Sequence, residues 1–89
     1  DLGAALALLK KNGIRIYAAH LQGSRDYDQE DYRGATAFLV GNEANGLSQE
    51  AASAADARIR IPMLGRVESL NAAVAASVLM FEAARQRRR

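Results

Sequence analysis

Two loops combine glycine with polar side chains in a way that could support ligand binding. The first, Gly41-Asn42-Glu43-Ala44-Asn45-Gly46, follows an apolar run, and the second covers residues 62–68 after Ile61. Each precedes a helical pattern that has a serine near its start. Glycine allows the backbone to approach a ligand, and free N–H groups at a helix start donate hydrogen bonds. Taken singly, each loop is explained better as a structural turn, because strand–loop–helix junctions need such residues anyway.

Composition argues against several other kinds of site. The chain contains no cysteine and one histidine, His20, so disulfides, thiolate metal sites, histidine metal clusters and a Ser-His-Asp triad are poor interpretations. The sequence has no G-x-G-x-x-G fingerprint, and no lysine follows Gly46. We therefore expect no metal and no conventional nucleotide-binding loop.

The elements that must position these loops alternate along the chain. Hydrophobic periodicity predicts helices over 2–11, 47–55 and 69–87 and strands over 14–19, 35–40 and 57–61. This order indicates an α/β fold with a mostly parallel sheet flanked by helices. Residues 22–34 are predicted as a polar loop, and the wholly apolar run 35–40 as a strand buried on both faces. Three strands are few for a complete sheet, which favours an incomplete domain.

The last predicted helix is apolar around most of its circumference. Leu70, Val74, Val78 and Phe81 form one stripe, and further apolar residues extend it until Glu82. A helix that covers one layer of a fold normally keeps a polar face. The pattern therefore predicts burial on two sides, against the sheet and against a second copy, which implies a homodimer through the C-terminal helix.

Charge is distributed unevenly along the chain. Four of the twelve basic residues are Arg85 and residues 87–89, so residues 1–84 hold eight basic and ten acidic side chains. The tail is either a solvated helix end, where cations suit the dipole, or a segment that contacts phosphate.

No stretch of the chain is long enough for a membrane span. The longest charge-free apolar run, residues 70–81, has 12 residues, whereas a span needs about 20. No signal peptide is recognisable, and the first residue is Asp1. We expect a cytoplasmic protein, with this chain cut from something longer.

Considered together, the two loops carry a specific pattern. It consists of Leu-Val-Gly-Asn-Glu-Ala-Asn-Gly-Leu-Ser over 39–48, then Asp56, then Ile-Pro-Met-x-Gly-x-Val-Glu-Ser-Leu-Asn over 61–71. This pattern resembles the second and third motifs of the SpoU (TrmH-like) branch of the SPOUT RNA methyltransferases. The resemblance covers residues 36–87 closely and 1–35 in outline. Residues 1–89 would be the C-terminal portion of a SpoU-type catalytic domain, with a deep trefoil knot.

The resemblance implies an S-adenosylmethionine-dependent RNA methyltransferase that modifies a ribose 2′-hydroxyl of tRNA or rRNA. The cofactor would be bound by Gly41, Ile61 and Leu70, with Met63 and Ser69 close by. His20 and Leu21 would border the same pocket. Adenine is uncharged, so main-chain amides and apolar side chains suit it.

Three side chains match active-site positions of the family: Glu43, Ser69 and Asn71. Glu43 would orient an arginine or the ribose, and Ser69 and Asn71 would hydrogen-bond the loop or the substrate. Each also has a structural interpretation. Ser69 can cap a helix, Asn71 can satisfy neighbouring backbone, and Glu43 can favour a helix dipole.

The sequence departs from the family pattern in two places. Ala44 stands where the family frequently has glycine, and the first motif, Asn-x-Gly-x-x-x-Arg, does not occur. Since that arginine is the family's usual base, residues 1–89 alone should be inactive. The alternative function is a non-catalytic remnant that dimerises and binds RNA through its basic tail.

Overall fold

The computed structural model describes residues 1–20, 24–41, 47–62 and 72–88. Three helices, four strands and a short 3-10 helix are defined in these ranges. In chain order they are α1 (Leu2–Lys11), β1 (Arg15–Ala19), β2 (Arg25–Asp26), the 3-10 helix (Tyr27–Gln29), β3 (Thr36–Leu39), α2 (Gln49–Ala54), β4 (Ala57–Arg60) and α3 (Ala72–Arg87).

The four strands form one sheet in the order β2-β4-β1-β3, and every neighbouring pair is parallel. In this register Ala18 pairs with Leu39 of β3, and Ala19 pairs with Ile59 of β4. The predicted α/β fold with a parallel sheet is therefore confirmed.

The sequence prediction of three strands is wrong, because β2 lies within the segment that was expected to be a loop. Arg25 and Asp26 carry no local strand pattern. They are held by pairing with Ile59 and Arg60 of β4, and the Arg60 Nε atom lies 2.9 Å from Asp26 Oδ1. Tertiary pairing, and not local propensity, makes this strand.

The prediction that residues 35–40 are buried on both faces is also wrong. All four residues of β3 are half-buried. The buried strand is β1, in which Ile16, Tyr17 and Ala18 are at most 1% exposed. The strand order explains the difference, since β1 has a neighbour on each side and β3 forms one edge of the described sheet.

The face of the sheet toward α3 holds the larger side chains of the core. Tyr17, Tyr32 and Ile59 pack there with Leu79 and Ala83 of α3. The Tyr17 and Tyr32 rings meet edge to face, with centroids 4.9 Å apart. Because successive side chains of a strand alternate, Ile16 and Ala18 point to the opposite face. There α1 and α2 contact β1 and one another, and their buried residues are Leu6, Ala51 and Ala52.

Helix boundaries follow local signals. Helix α1 ends at the predicted Asn12-Gly13 pair, where Gly13 has φ 75°. Such an angle favours glycine. Helix α2 begins after Ser48, whose hydroxyl accepts a hydrogen bond from Ala51 N at 3.1 Å, as predicted. Helix α3 ends at Arg87 as predicted, whereas its predicted start at Ser69 lies outside the described residues.

Helix α3 packs on the sheet with one face only in the single chain. Ala75, Leu79, Glu82 and Ala83 are buried. On the remaining surface Val74 is 50% exposed, Met80 58% and Phe81 68%. The expected contact with the sheet is therefore confirmed. The second expected contact, with another copy, stays a prediction.

Candidate functional site

The carboxyl ends of three strands lie side by side at one edge of the sheet. His20 directly follows β1, and its N–H donates to Ile59 O at 2.9 Å. Gly41 lies two residues after Leu39, and Ile61 lies two residues after Ile59. Since Leu39 and Ile59 pair with consecutive residues of β1, both Gly41 and Ile61 emerge next to His20. Ligands of parallel sheets bind at this edge.

The register that aligns these ends is fixed partly by Asp56. Its carboxylate accepts a hydrogen bond from Ile16 N at 2.7 Å, and its own N–H donates to Ile16 O at 2.8 Å. Asp56 thus joins the start of β4 to β1. The motif residue Asp56 has a structural role here, because it places Ile61 opposite the end of β1.

The described part of this edge is half-buried and largely uncharged. His20, Gly41 and Ile61 are each partly exposed. Val40 and Ile61 pack against the aromatic core from the edge. An edge of main chain and aliphatic side chains can contact a flat, uncharged ring and hydrogen-bond its polar atoms.

The remaining predicted site residues lie outside the described residues. They are Glu43, Ser69 and Asn71 of the catalytic set, Met63 and Leu70 of the cofactor set, and the bordering Leu21. The structure therefore brings together Gly41, Ile61 and His20. Ala72 is the first described residue of α3.

A polar cluster at the other end of α3 was missed by sequence reasoning. Glu82 is only 8% exposed. The Arg85 guanidinium donates to both carboxylate oxygens of Glu82 at 2.8 Å, and Gln86 Nε2 donates to Glu82 Oε2 at 2.9 Å. The hydrogen bonds from Arg85 have the largest effect and the bond from Gln86 the next largest, and together they lower the pKa of Glu82 to about 2. The i,i+3 spacing of Glu82 and Arg85 was a visible signal.

The same helix end is fastened to the segment that precedes β3. Gln86 Oε1 accepts from Tyr32 N at 2.7 Å, and Gln86 Nε2 donates to Glu30 O at 3.0 Å. Arg87 donates to Tyr32 O at 3.1 Å and to Gly34 O at 2.8 Å. The Tyr32 hydroxyl donates to Tyr27 O, and burial raises the pKa of Tyr32.

These contacts add a structural role to the basic tail, whose described residues are exposed as expected of a solvated helix end. Arg85 is paired with a buried carboxylate, and Arg87 is bound to two carbonyl oxygens, although both residues keep exposed surface. The tail is in part a structural clasp between α3 and residues 30–34.

Two further kinds of feature do not occur in the parts of the chain that the structure describes. No group of three or more histidine or acidic side chains there could hold a metal ion. Within the same ranges, no helix combines the length and apolar character needed to cross a membrane.

Comparison with known proteins identifies close relatives. The model of the SpoU rRNA methylase family matches residues 1–81. The chain is 50% identical over 88 residues to a tRNA (guanosine(18)-2'-O)-methyltransferase of Thermus thermophilus, covering 98% of this chain and 45% of the relative. It is 45% identical to the enzyme of that name from Escherichia coli K12, covering 97% of this chain and 38% of the relative.

Solved structures that superpose on this chain include SpoU-type enzymes as well. The crystal structure of the A. aeolicus TrmH/SpoU tRNA modifying enzyme superposes with a TM-score of 0.91 at 37% identity, covering 99% of this chain and 45% of that one. The SpoU methyltransferase AviRb from Streptomyces viridochromogenes, in complex with AdoMet, gives 0.86 at 33% identity, covering 98% and 35%. The chain spans less than half the length of these proteins.

Proposed function

Because the chain belongs to the SpoU rRNA methylase family, we propose that the complete protein methylates a ribose 2′-hydroxyl of tRNA or rRNA. Residues 1–89 are the C-terminal portion of its catalytic domain and contribute the second and third motifs. The observation that carries the proposal is the placement of β3 and β4 on either side of β1. This order brings Gly41 and Ile61, which belong to different motifs, to one edge of the sheet.

S-adenosylmethionine fits this edge chemically. Its adenine is uncharged, and the backbone at Gly41 and Ile61, with the aliphatic side chains of Val40 and Ile61, offers hydrogen bonds and apolar contact. When bound, the cofactor supplies an electrophilic methyl group. Met63, Ser69 and Leu70 complete the proposed binding set, and His20 borders it.

Three residues of this chain serve the proposed transfer. A ribose hydroxyl becomes a nucleophile when its proton is removed, and the family's usual base is the arginine of the first motif. Glu43 orients that arginine or the ribose. Ser69 and Asn71, which precede the described part of α3 in sequence, hydrogen-bond the loop or the substrate. Residues 1–89 by themselves are then inactive, because the base is missing.

We further propose that the C-terminal segment forms the deep trefoil knot of this family, and that two copies associate through α3. Exposure of Val74, Met80 and Phe81 supports the dimer. An apolar groove beside these side chains is lined by Tyr27, Ala73 and Val78. We also propose that the protein acts in the cytoplasm, which is consistent with tRNA or rRNA as its substrate.

The test uses the complete protein with S-adenosylmethionine and unmodified tRNA and rRNA transcripts. We expect mass spectrometry to find a 2′-O-methylated ribose, and calorimetry to detect binding of S-adenosylhomocysteine. A complete protein that neither methylates RNA nor binds this product would overturn the proposal.

A matched glycine pair sharpens the cofactor test. Gly41→Ala adds a methyl group where backbone and cofactor are proposed to meet, and it should weaken binding of S-adenosylhomocysteine at least several-fold. At Gly34 an added Cβ meets nothing within 4 Å, so Gly34→Ala should leave that affinity unchanged. Equal effects of the two substitutions would remove Gly41 from the binding set.

A further inference from the structure

We infer that Asp56 is a positioning residue for the cofactor, because its carboxylate fixes the start of β4 and thereby the place of Ile61 at the carboxyl ends of the strands. Asp56 acts through β4 and not by contact with the cofactor. The inference rests on the proposed function, which places S-adenosylmethionine against the backbone of Gly41 and Ile61.

The contact between Asp56 and Ile16 spans 40 positions of the sequence. The Ile16 N–H donates to Asp56 Oδ2 at 2.7 Å, and the Asp56 N–H donates to Ile16 O at 2.8 Å. Ile16 is 0% exposed, so its polar backbone groups depend on partners within the protein. Asp56 is itself exposed, and an exposed aspartate before a strand is ordinarily explained as a turn residue that binds nearby backbone. That explanation does not account for a bond to so distant a residue.

The Asp56 carboxylate supplies a hydrogen-bond acceptor at a point where β4 has not yet begun. Helix α2 ends at Ala54 and β4 begins at Ala57, so two residues connect them. The register between β1 and β4 begins with Tyr17 opposite Ala57, one residue after Ile16. A bond from an N–H to an ionised carboxylate is stronger than one between neutral groups. Asp56 therefore anchors the two strands to each other where their pairing starts.

Strand β4 carries this register from Asp56 to Ile61. Asp56 precedes Ile61 by five residues, which corresponds to about 16 Å of strand. Between them, Ile59 is 0% exposed, and its carbonyl accepts from His20 N at 2.9 Å. On its other side β4 pairs with the two-residue strand β2. A slip of one residue would move Ile61 by about 3.3 Å and turn Ile59 out of the core.

A site that binds its ligand through backbone groups is sensitive to smaller displacements as well. Hydrogen bonds weaken when the distance between donor and acceptor exceeds about 3.2 Å or the angle becomes unfavourable. The backbone of Ile61 cannot compensate by a change of rotamer, as a side-chain ligand could. Loosening the start of β4 should therefore lower cofactor affinity before it disrupts the sheet, because Tyr17 and Ile59 also pack with α3.

The test uses the complete protein with three substitutions at Asp56. Asp56→Ala removes the acceptor for the Ile16 N–H. Asp56→Asn keeps an oxygen at the same distance from the main chain but removes the charge. Asp56→Glu keeps the charge but moves the carboxylate one carbon farther from the main chain. Calorimetry measures the affinity for S-adenosylhomocysteine, and kinetics with saturating tRNA give kcat and the KM for S-adenosylmethionine.

Gln86→Ala is the matched control for lost stability. It also removes a side-chain acceptor that lies 2.7 Å from the backbone nitrogen of a buried residue, Tyr32, which is 0% exposed. Gln86 lies near the end of α3, and its partner precedes β3. Both alanine variants should unfold at a lower urea concentration than wild type. A difference in cofactor affinity between them then has a cause other than stability.

We expect Asp56→Ala to weaken binding of S-adenosylhomocysteine about fivefold or more, which is comparable to the loss of one hydrogen bond. The KM for S-adenosylmethionine should rise by the same factor while kcat stays within about twofold, since the lost interaction acts on binding. Asp56→Glu should weaken binding to a similar extent. Asp56→Asn and Gln86→Ala should stay within about twofold of wild type, because both keep the bond between β1 and β4.

Equal weakening by Asp56→Ala and Gln86→Ala would overturn the inference, since lost stability would then explain both. Unchanged affinity in Asp56→Ala would contradict it as well, and so would equally weak binding by Asp56→Asn. If Asp56→Ala does not fold, the other two substitutions decide: weaker binding by Asp56→Glu than by Asp56→Asn supports the inference, and equal affinities reject it. A wild-type protein that binds no S-adenosylhomocysteine would reject the proposed function together with this inference. Wild-type binding with unchanged Asp56 variants would reject the inference alone.

Discussion

The carboxyl and amino ends of the strands, here called the carboxyl edge and the amino edge of the sheet, present different kinds of chemical groups. At the carboxyl edge, His20, Gly41 and Ile61 present main chain and apolar surface. At the amino edge, long side chains such as Arg87 and Gln86 bind the backbone of residues 30–34. A site made of main chain depends on strand order. A site made of side chains depends on contacts between residues that are distant in sequence. A single substitution can therefore remove one of its contacts directly.

Helix α3 joins these two edges. Its described part begins at Ala72, which follows the third motif in sequence, and it ends in the hydrogen bonds of Gln86 and Arg87. If the edges are independent, substitutions at one end should change chemistry and those at the other should change stability.

Asn71→Ala in the complete protein should lower the methylation rate about 100-fold, the effect typical of losing one preorganised hydrogen-bond donor. The rate is measured with saturating tRNA and cofactor, and the melting temperature is recorded alongside. Asn12→Ala is the matched control, because it removes the same amide group at the end of α1, where Asn12 Nδ2 donates to Leu8 O at 2.8 Å. An unchanged rate in the Asn71 variant would remove Asn71 from the site.

Gln86→Ala should lower the free energy of unfolding by about 2 kcal/mol. It leaves the partly buried Tyr32 N–H without its hydrogen-bond acceptor, and an unmade bond of this kind is costly. Urea unfolding of the complete protein measures the loss. Gln29→Ala, at an exposed position of the 3-10 helix, is the control and should change little. A simultaneous drop in cofactor affinity for the Gln86 variant would show that the two edges are coupled.

Glu82→Gln should destabilise the complete protein by about 1 kcal/mol near neutral pH. The expected loss is no larger because the Arg85 side chain is half-exposed, and solvent screens the ion pair. The folded pKa of Glu82 is lowered to about 2. The ionised Glu82 carboxylate therefore contributes its full stabilisation of the fold above the ordinary carboxyl pKa of 4.5, and this stabilisation is lost as pH falls through about 2. Urea unfolding at pH 6, 4 and 3 should show the difference from wild type shrinking. A difference that is independent of pH would contradict the assigned ion pair.

The ion pair between Arg60 and Asp26 should contribute least. Both side chains are at least 40% exposed, and such pairs are worth well under 1 kcal/mol. A double-mutant cycle with Arg60→Gln and Asp26→Asn should give a coupling energy below about 0.5 kcal/mol. A coupling above 1 kcal/mol would mean that side chains, together with backbone pairing, hold β2 in the sheet.

Local pattern was sufficient for most of the fold and insufficient for its long-range contacts. The helices, the three longer strands and the Ser48 cap follow from periodicity and capping residues. Strand β2 has only two residues, and its reason for forming lies in β4. The exposure of β3 follows from strand order, which no single strand encodes.

For the candidate site, the structure describes only where Gly41 and Ile61 lie, and the roles assigned to them stay predictions. Family resemblance identified Gly41 and Ile61, and the sheet brings them together. The clasp at the end of α3 was not predictable, because the partners of Gln86 lie 54 and 56 residues away. Its residue types also suit an ordinary helix end, so only the folded arrangement separates the two cases.

The strand order β2-β4-β1-β3 constrains how this chain folds while it is being synthesised. Strands β1 and β3 can pair as soon as residue 39 leaves the ribosome, but among the described strands β2 pairs only with β4, which emerges later. The clasp on residues 30–34 must wait for Arg87. The nascent chain therefore carries an unpaired segment and an uncovered aromatic face until almost the last residue of this region is made, which is the interval in which chaperones would be needed most.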